Sequence, residues 1–155
     1  MDCICGSECF DFNGPPKSET VLVYNQPLRS NAYEIRVKNA IAMELNKCGI
    51  NLNSCRHVYL YPHNNPADDC IRYNMFRIND ELKKCPGHIL MFGGELSARY
   101  ADEPDVINVC GLEIEVPMLG RSVSFAPTME SLLSGGIGEM RLSIEKYAKR
   151  RNTKA

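Results

Sequence analysis

The chain opens on Cys3, Cys5 and Cys9, a Cys-x-Cys-x3-Cys run of thiols. Thiolates are soft donors that hold Zn2+ or iron–sulfur clusters. The spacing departs from the usual Cys-x2-Cys, so two readings stay open: part of a metal site, or a reduced and frayed N-terminal tail. Eight cysteines are present in all. In a reducing compartment disulfides are rare, which leaves buried thiols or a metal. Cys48, Cys85 and Cys110 fall near the ends of periodic segments and read as core or boundary thiols. Cys55, in a connecting loop, reads the same way.

The rest of the chain must position such groups. Its 155 residues suffice for one domain with a sizeable core. A net charge of −1 argues against a strongly basic nucleic-acid coat protein but leaves room for a local patch. No apolar run approaches the roughly 18 residues that span a bilayer. Met1-Asp2-Cys3-Ile4-Cys5 lacks the basic start and apolar run of a signal peptide. A cytoplasmic location is the default expectation.

Residues 1–19 read as an irregular Cys-rich segment, 20–150 as one α/β domain and 151–155 as a basic tail. Thr20-Val21-Leu22-Val23-Tyr24 is a continuous apolar run, as a strand buried on both faces is. Asn31 with Glu34 marks a helix start, and Val37, Ile41, Leu45 and Cys48 recur at helical spacing up to Gly49. Strands are predicted at 57–61, 89–92, 112–116 and 122–126, with 112–116 alternating as an edge or half-exposed strand does. A helix capped by Asp68 or Asp69 carries Ile71, Met75, Ile78 and Leu82 on one face, and a short helix is predicted over 95–100. The last helix, about 138–150, turns Ile137, Met140, Ile144 and Tyr147 to one side. Alternating strands and helices predict a three-layer α/β/α sandwich around a mainly parallel sheet of four to five strands. Functional loops then lie at the carboxyl ends of the strands. Those loops are Asn25–Leu28, Pro62–Pro66, Gly93–Glu95 and Ala126–Thr128.

Three stretches carry a resemblance. Val58-Tyr59-Leu60-Tyr61, the segment from Cys70 through Glu81-Leu82 to His88–Ala98, and Val123-Ser124-Phe125-Ala126-Pro127-Thr128-Met129-Glu130-Ser131-Leu132-Leu133 are similar, in order and spacing, to motifs of the uracil-DNA glycosylase superfamily, and more specifically of its small iron–sulfur branch. The resemblance covers about residues 20–150. The last stretch resembles the family's "Thr-Phe-His-Pro-Ser-x-Leu-Leu", but Ala126 stands where the family has its histidine. In the family that side chain hydrogen-bonds the uracil O2 and stabilises the departing base. The first motif, "Gly-Glu-x-Pro-Gly" followed by acids, is reduced to Tyr24-Asn25-Gln26-Pro27-Leu28, and no acid appears until Glu34. A general base must reach its water, and neither Asn25 nor Gln26 serves as one. The family's "Asn-x-x-Lys-Cys-Arg-Pro-Pro" is shortened to Pro62-His63-Asn64-Asn65-Pro66, where His63 or Asn64 either reads a base edge or is simply solvated.

The resemblance implies a fold retained with its chemistry lost. Each missing electrostatic donor costs roughly 10²–10³ in rate. The expected function is a non-catalytic accessory of viral DNA replication, a bacteriophage protein that binds DNA, a viral DNA polymerase or another replisome protein. The alternative is an active, divergent glycosylase that excises a damaged base and uses His63 in place of the missing histidine. A third reading, a flavodoxin-like small-molecule binder, is opposed by the bulk of Asn25-Gln26-Pro27 at the first strand end. The expected binding rim is Asn25, Gln26, Pro27, His63, Asn64, Gly93, Ala126, Thr128, Met129 and Leu132. Met129, Leu132 and Leu133 resemble the family loop that enters the DNA minor groove. An apolar wedge there serves equally to dock a protein. Lys146, Lys149, Arg150, Arg151 and Lys154 form either a solvated helix end or a phosphate track. In the iron–sulfur branch two N-terminal cysteines join two later ones around a [4Fe–4S] cluster. Cys70 matches the last of these, and the other later cysteine is missing. The implied metal set is therefore Cys3, Cys5, Cys9 and Cys70, for a [4Fe–4S] cluster or a tetrahedral Zn2+.

Overall fold

The structure, a computed structural model, describes residues 1–153. Five strands form one sheet: β1 (Thr20–Tyr24), β2 (Arg56–Tyr59), β3 (His88–Phe92), β4 (Glu113–Val116) and β5 (Arg121–Ala126). Their spatial order is β2-β1-β3-β5-β4. The first four in that order pair in parallel, and β4 closes the edge antiparallel to β5. Helices α1 (Ala32–Lys47), α2 (Asp68–Lys84), α3 (Gly94–Ala101) and α4 (Ile137–Thr153) cover the two faces, giving the expected α/β/α layers.

The pleat sorts the core. Val21 and Val23 of β1 point to the face packed by Ile71, Ile78 and Leu82 of α2 and Leu96 of α3. Leu22 and Tyr24 point to the other, packed by Val37, Ile41 and Leu45 of α1 and Met140, Ile144 and Tyr147 of α4. With helices on both sides, a central strand has no polar face to offer, which is why β1 and β3 read as unbroken apolar runs. The chain leaves β1 for β2 on one side and later returns to β3 on the other. The point between β1 and β3 is thus a topological switch, where a crevice opens beyond the strand ends.

Local signals place the ends of these elements. The Asn31 side chain accepts the Glu34 N–H at 2.9 Å, capping α1, and Gly49 at φ +78° ends the helix. Four expectations need correction. The cap residue of α2 is Ala67, with Asp68 and Asp69 inside the first turn, where their charge suits the helix dipole. β2 stops at Tyr59, because the chain bends toward Pro62. Ile137 begins α4 on its exposed side. Finally, α4 runs to Thr153, so residues 151–153 are helix rather than tail; Lys154 lies outside the described residues.

The basic stretch is also not free. The Arg150 guanidinium donates to the Gly111 carbonyl at 3.1 Å and the Ser124 hydroxyl at 2.9 Å, and pairs with Glu113 at 3.3 Å. Arg151 pairs with Glu19 at 3.2 Å. Both side chains lie back on the domain instead of tracking along a helix end. No helix of the described residues is long and apolar enough to cross a membrane.

Residues 1–19 lack regular elements, as predicted, yet they are docked. Asn13 and His57 exchange backbone hydrogen bonds of 2.9 and 2.7 Å, an antiparallel bridge on the outer edge of β2. Phe10 N–H donates to the Pro62 carbonyl at 2.7 Å. Arg77 of α2 donates to the Phe10 carbonyl at 2.7 Å and stacks 4.2 Å above the Phe12 ring. At Gly14 the φ is +86°, and a Cβ would stand 2.0 Å from the Cys55 carbonyl oxygen, so only glycine fits this crossing.

Candidate functional site

Two sites flank the turn between β2 and α2. The first is a thiol corner. A tight loop, closed by Cys3 N–H to the Ser7 carbonyl at 2.8 Å and Gly6 N–H to the Cys3 carbonyl at 2.9 Å, presents Cys3 and Cys5 together. Cys70 meets them from the first turn of α2. His63 enters from the turn. The ligand atoms of Cys3, Cys5, His63 and Cys70 all lie within 4.8 Å of one another, close enough to hold a metal ion. His63 Nε2 is 3.2 Å from Cys5 Sγ.

The expected quartet is thereby corrected at one position. Cys9 is buried against Cys3 and Cys70 but stands outside the ligand group, and His63 takes its place. The cause is the convergence of distant segments: Phe10 hydrogen-bonds Pro62 and draws the 62–66 turn onto the N-terminal loop. The local environment suits ligation. Hydrogen bonds from Ser7 hold the exposed Cys5 thiol down at about 6. Burial pushes the Cys70 thiol up to about 11, and its neighbours Cys3 and Cys5 push the same way. A cation among these groups relieves that crowding of like charge.

The second site is the rim at the carboxyl ends of β1, β2, β3 and β5. A cavity of about 120 Å³ opens there, lined by Asn25, Gln26, Glu34, Tyr61, Phe92, Thr128, Met129 and Glu130, among others. Asn25 Oδ1 is buried with no hydrogen-bond partner, which is uncommon for a buried acceptor. Tyr61 donates its hydroxyl to Glu95 at 2.6 Å, and burial together with that carboxylate pushes its phenol up to about 12. The Glu34 carboxylate accepts the Arg29 N–H at 3.1 Å and also binds the Asn31 amide. Among the described residues, no lysine or arginine lines this cavity.

The expected rim residues divide. Asn25, Gln26, Thr128 and Met129 line the cavity. Pro27 lines a neighbouring cavity of about 230 Å³ with His57, Lys38 and Asn53. Gly93, at φ +103°, makes the turn out of β3, and a Cβ there would meet the Thr128 methyl at 2.9 Å. Ala126 is 0 % exposed in the core beneath the rim. Met129 and Leu132 do not form an exposed wedge: a 3₁₀ turn over Met129–Leu133 folds both side chains into the core. His63 faces the thiols, and Asn64 accepts a hydrogen bond from Arg29 outside the cavity. Tyr61, Glu34 and Glu130, which also line the cavity, were not among the expected rim residues. The signal for Glu34 was present, since it shares the start of α1 with the capping Asn31 just after β1, but Glu130 depends on the convergence of separate loops.

No protein-family model matches the chain, and no curated protein matches it.

Proposed function

We propose that this chain is a catalytically silent protein of the uracil-DNA glycosylase type, an accessory of viral DNA replication that binds a DNA polymerase or DNA through its rim. One observation supports it above others. The rim keeps a small cavity at the strand ends, yet no imidazole that the expected chemistry could use is in it: Ala126, standing where the family has its histidine, lies under the floor, and His63 is turned to Cys5 at 3.2 Å. Carboxylates Glu34 and Glu130 on the walls, with no cation among the lining residues, disfavour a phosphate inside. They favour an uncharged base or, better, a basic surface of the polymerase. In this reading the thiol corner holds its [4Fe–4S] cluster or Zn2+ as a brace for the adjoining turn.

Uracil excision from single-stranded DNA, with capture of the cognate polymerase run beside it, tests the proposal. The expected result is capture without excision, and turnover at rates usual for the family would overturn it. Glu34 gives the active-glycosylase alternative its one support, because a carboxylate on the cavity wall could activate water. On that reading Glu34→Gln abolishes excision that the unaltered chain performs.

A further inference from the structure

The resembled branch implies a [4Fe–4S] cluster, and the donors of this chain do not match one. We infer that Cys3, Cys5, His63 and Cys70 hold a single Zn2+ ion instead, with Cys9 outside the coordination shell.

Spacing is the first ground. The four ligand atoms lie within 4.8 Å of one another. Around one tetrahedral Zn2+ with Zn–S bonds of about 2.3 Å, donors stand about 3.8 Å apart. In a cubane each thiolate binds a different iron at a different corner, so the terminal sulfurs stand much farther apart. Opening the corner to that size means pulling the 3–7 loop off α2. That loop is closed by its own hydrogen bonds of 2.8 and 2.9 Å, and Cys3 and Cys70 are buried against each other.

The fourth donor is the second ground. His63 Nδ1 is 2.9 Å from the Asn64 carbonyl oxygen. A carbonyl only accepts, so Nδ1 carries the hydrogen, and in the neutral ring Nε2 presents its lone pair toward Cys5. Ligating histidines are almost always fixed in this way through the other ring nitrogen. Three thiolates and one imidazole are an ordinary structural zinc set.

Cys9 completes the argument. It touches Cys3 and Cys70 without joining the ligand group, so it backs the site as a buried thiol. Four protein donors fill a tetrahedron and leave no position for water or substrate, which makes the ion structural. It fastens the N-terminal loop, the 62–66 turn and the first turn of α2 to one another. The inference is independent of whether the rim is catalytic.

The test uses the full chain purified from iron-supplemented cells, aerobically and anaerobically, with zinc, iron and acid-labile sulfide quantified. One zinc per chain, with neither iron nor labile sulfide in either preparation, is expected. Replacement by Co2+ should give the intense visible bands of a tetrahedral ion with thiolate charge transfer, a readout that needs no variant. His63→Cys should keep the ion and shift the Co2+ spectrum toward a four-thiolate site. Cys70→Ser should weaken Co2+ binding by more than the roughly 10–100-fold that loss of an outer-shell partner costs, while Cys9→Ser leaves stoichiometry and spectrum unchanged. Iron with labile sulfide in the anaerobic protein would overturn the inference. So would absence of metal from both preparations, or a Cys9→Ser loss as large as that of Cys70→Ser.

Discussion

The thiol corner and the rim cavity share the turn between β2 and α2, and they are built in opposite ways. The corner has more donors than an ion needs: four in reach, and Cys9 in reserve behind them. The rim has an acceptor with no donor, Asn25 Oδ1, and carboxylates with no lining cation. A group surrounded by its own partners reads as structural, whereas a buried acceptor without one calls for a separate explanation. The two are also linked. His63 belongs to the corner, its neighbour Asn64 accepts from Arg29, and the Arg29 N–H binds Glu34 on the cavity wall. Two residues, Asn64 and Arg29, thus join the corner to the rim.

Removing the proposed metal should have the largest effect. With free ion a thousandfold above its dissociation constant, chelation forfeits about 4 kcal/mol, seen as a fall in melting temperature with faster amide exchange over residues 1–14. An unchanged melting curve would erase the contrast between the regions. Gly14→Ala attacks the docking of the same segment without touching a ligand. The positive φ and the Cys55 carbonyl at 2.0 Å should make it cost about 2–3 kcal/mol in chemical denaturation. At the rim, Ala126→His should not restore excision. Its side chain must overfill a closed core, at about 1–3 kcal/mol, and recovered activity would show that the floor opens to the cavity. Asn25→Ala is expected to leave stability unchanged or raise it by about 1 kcal/mol, since it removes an unsatisfied buried acceptor, while weakening partner capture.

The smallest effect lies outside both regions and serves as a control. Burial pushes the Glu44 carboxyl up, but hydrogen bonds from Arg141 at 2.8 Å and Lys47 at 3.2 Å outweigh it and hold the group below its usual range. Its stabilisation is present above the unfolded value, about pH 4.3, and is lost as pH falls through the lower folded value. Glu44→Gln should flatten that acid limb in urea titrations and leave metal content alone.

The layers, the strand sequence and the start of α1 were legible because each rests on local rules: apolar runs, a cap, a glycine stop. The sequence left undecided whatever depends on segments far apart in the chain. His63 read as a rim residue because nothing in Pro62–Pro66 tells which way the turn faces; Phe10, some fifty positions earlier, decides it. Met129 and Leu132 resembled a wedge, but apolar side chains that can reach a core gain about 1.5–3 kcal/mol each by entering it. Arg150 and Arg151 looked solvated, yet a planar fork on a long stem finds carbonyls and a carboxylate on the domain surface.

The bridge between Asn13 and His57 occupies the outer margin of the sheet. Freed of it, β2 would display unpaired amides and carbonyls to any extended strand nearby, and such margins recruit copies of themselves. Metal starvation would then be felt first as self-association, with the interior of the domain still intact.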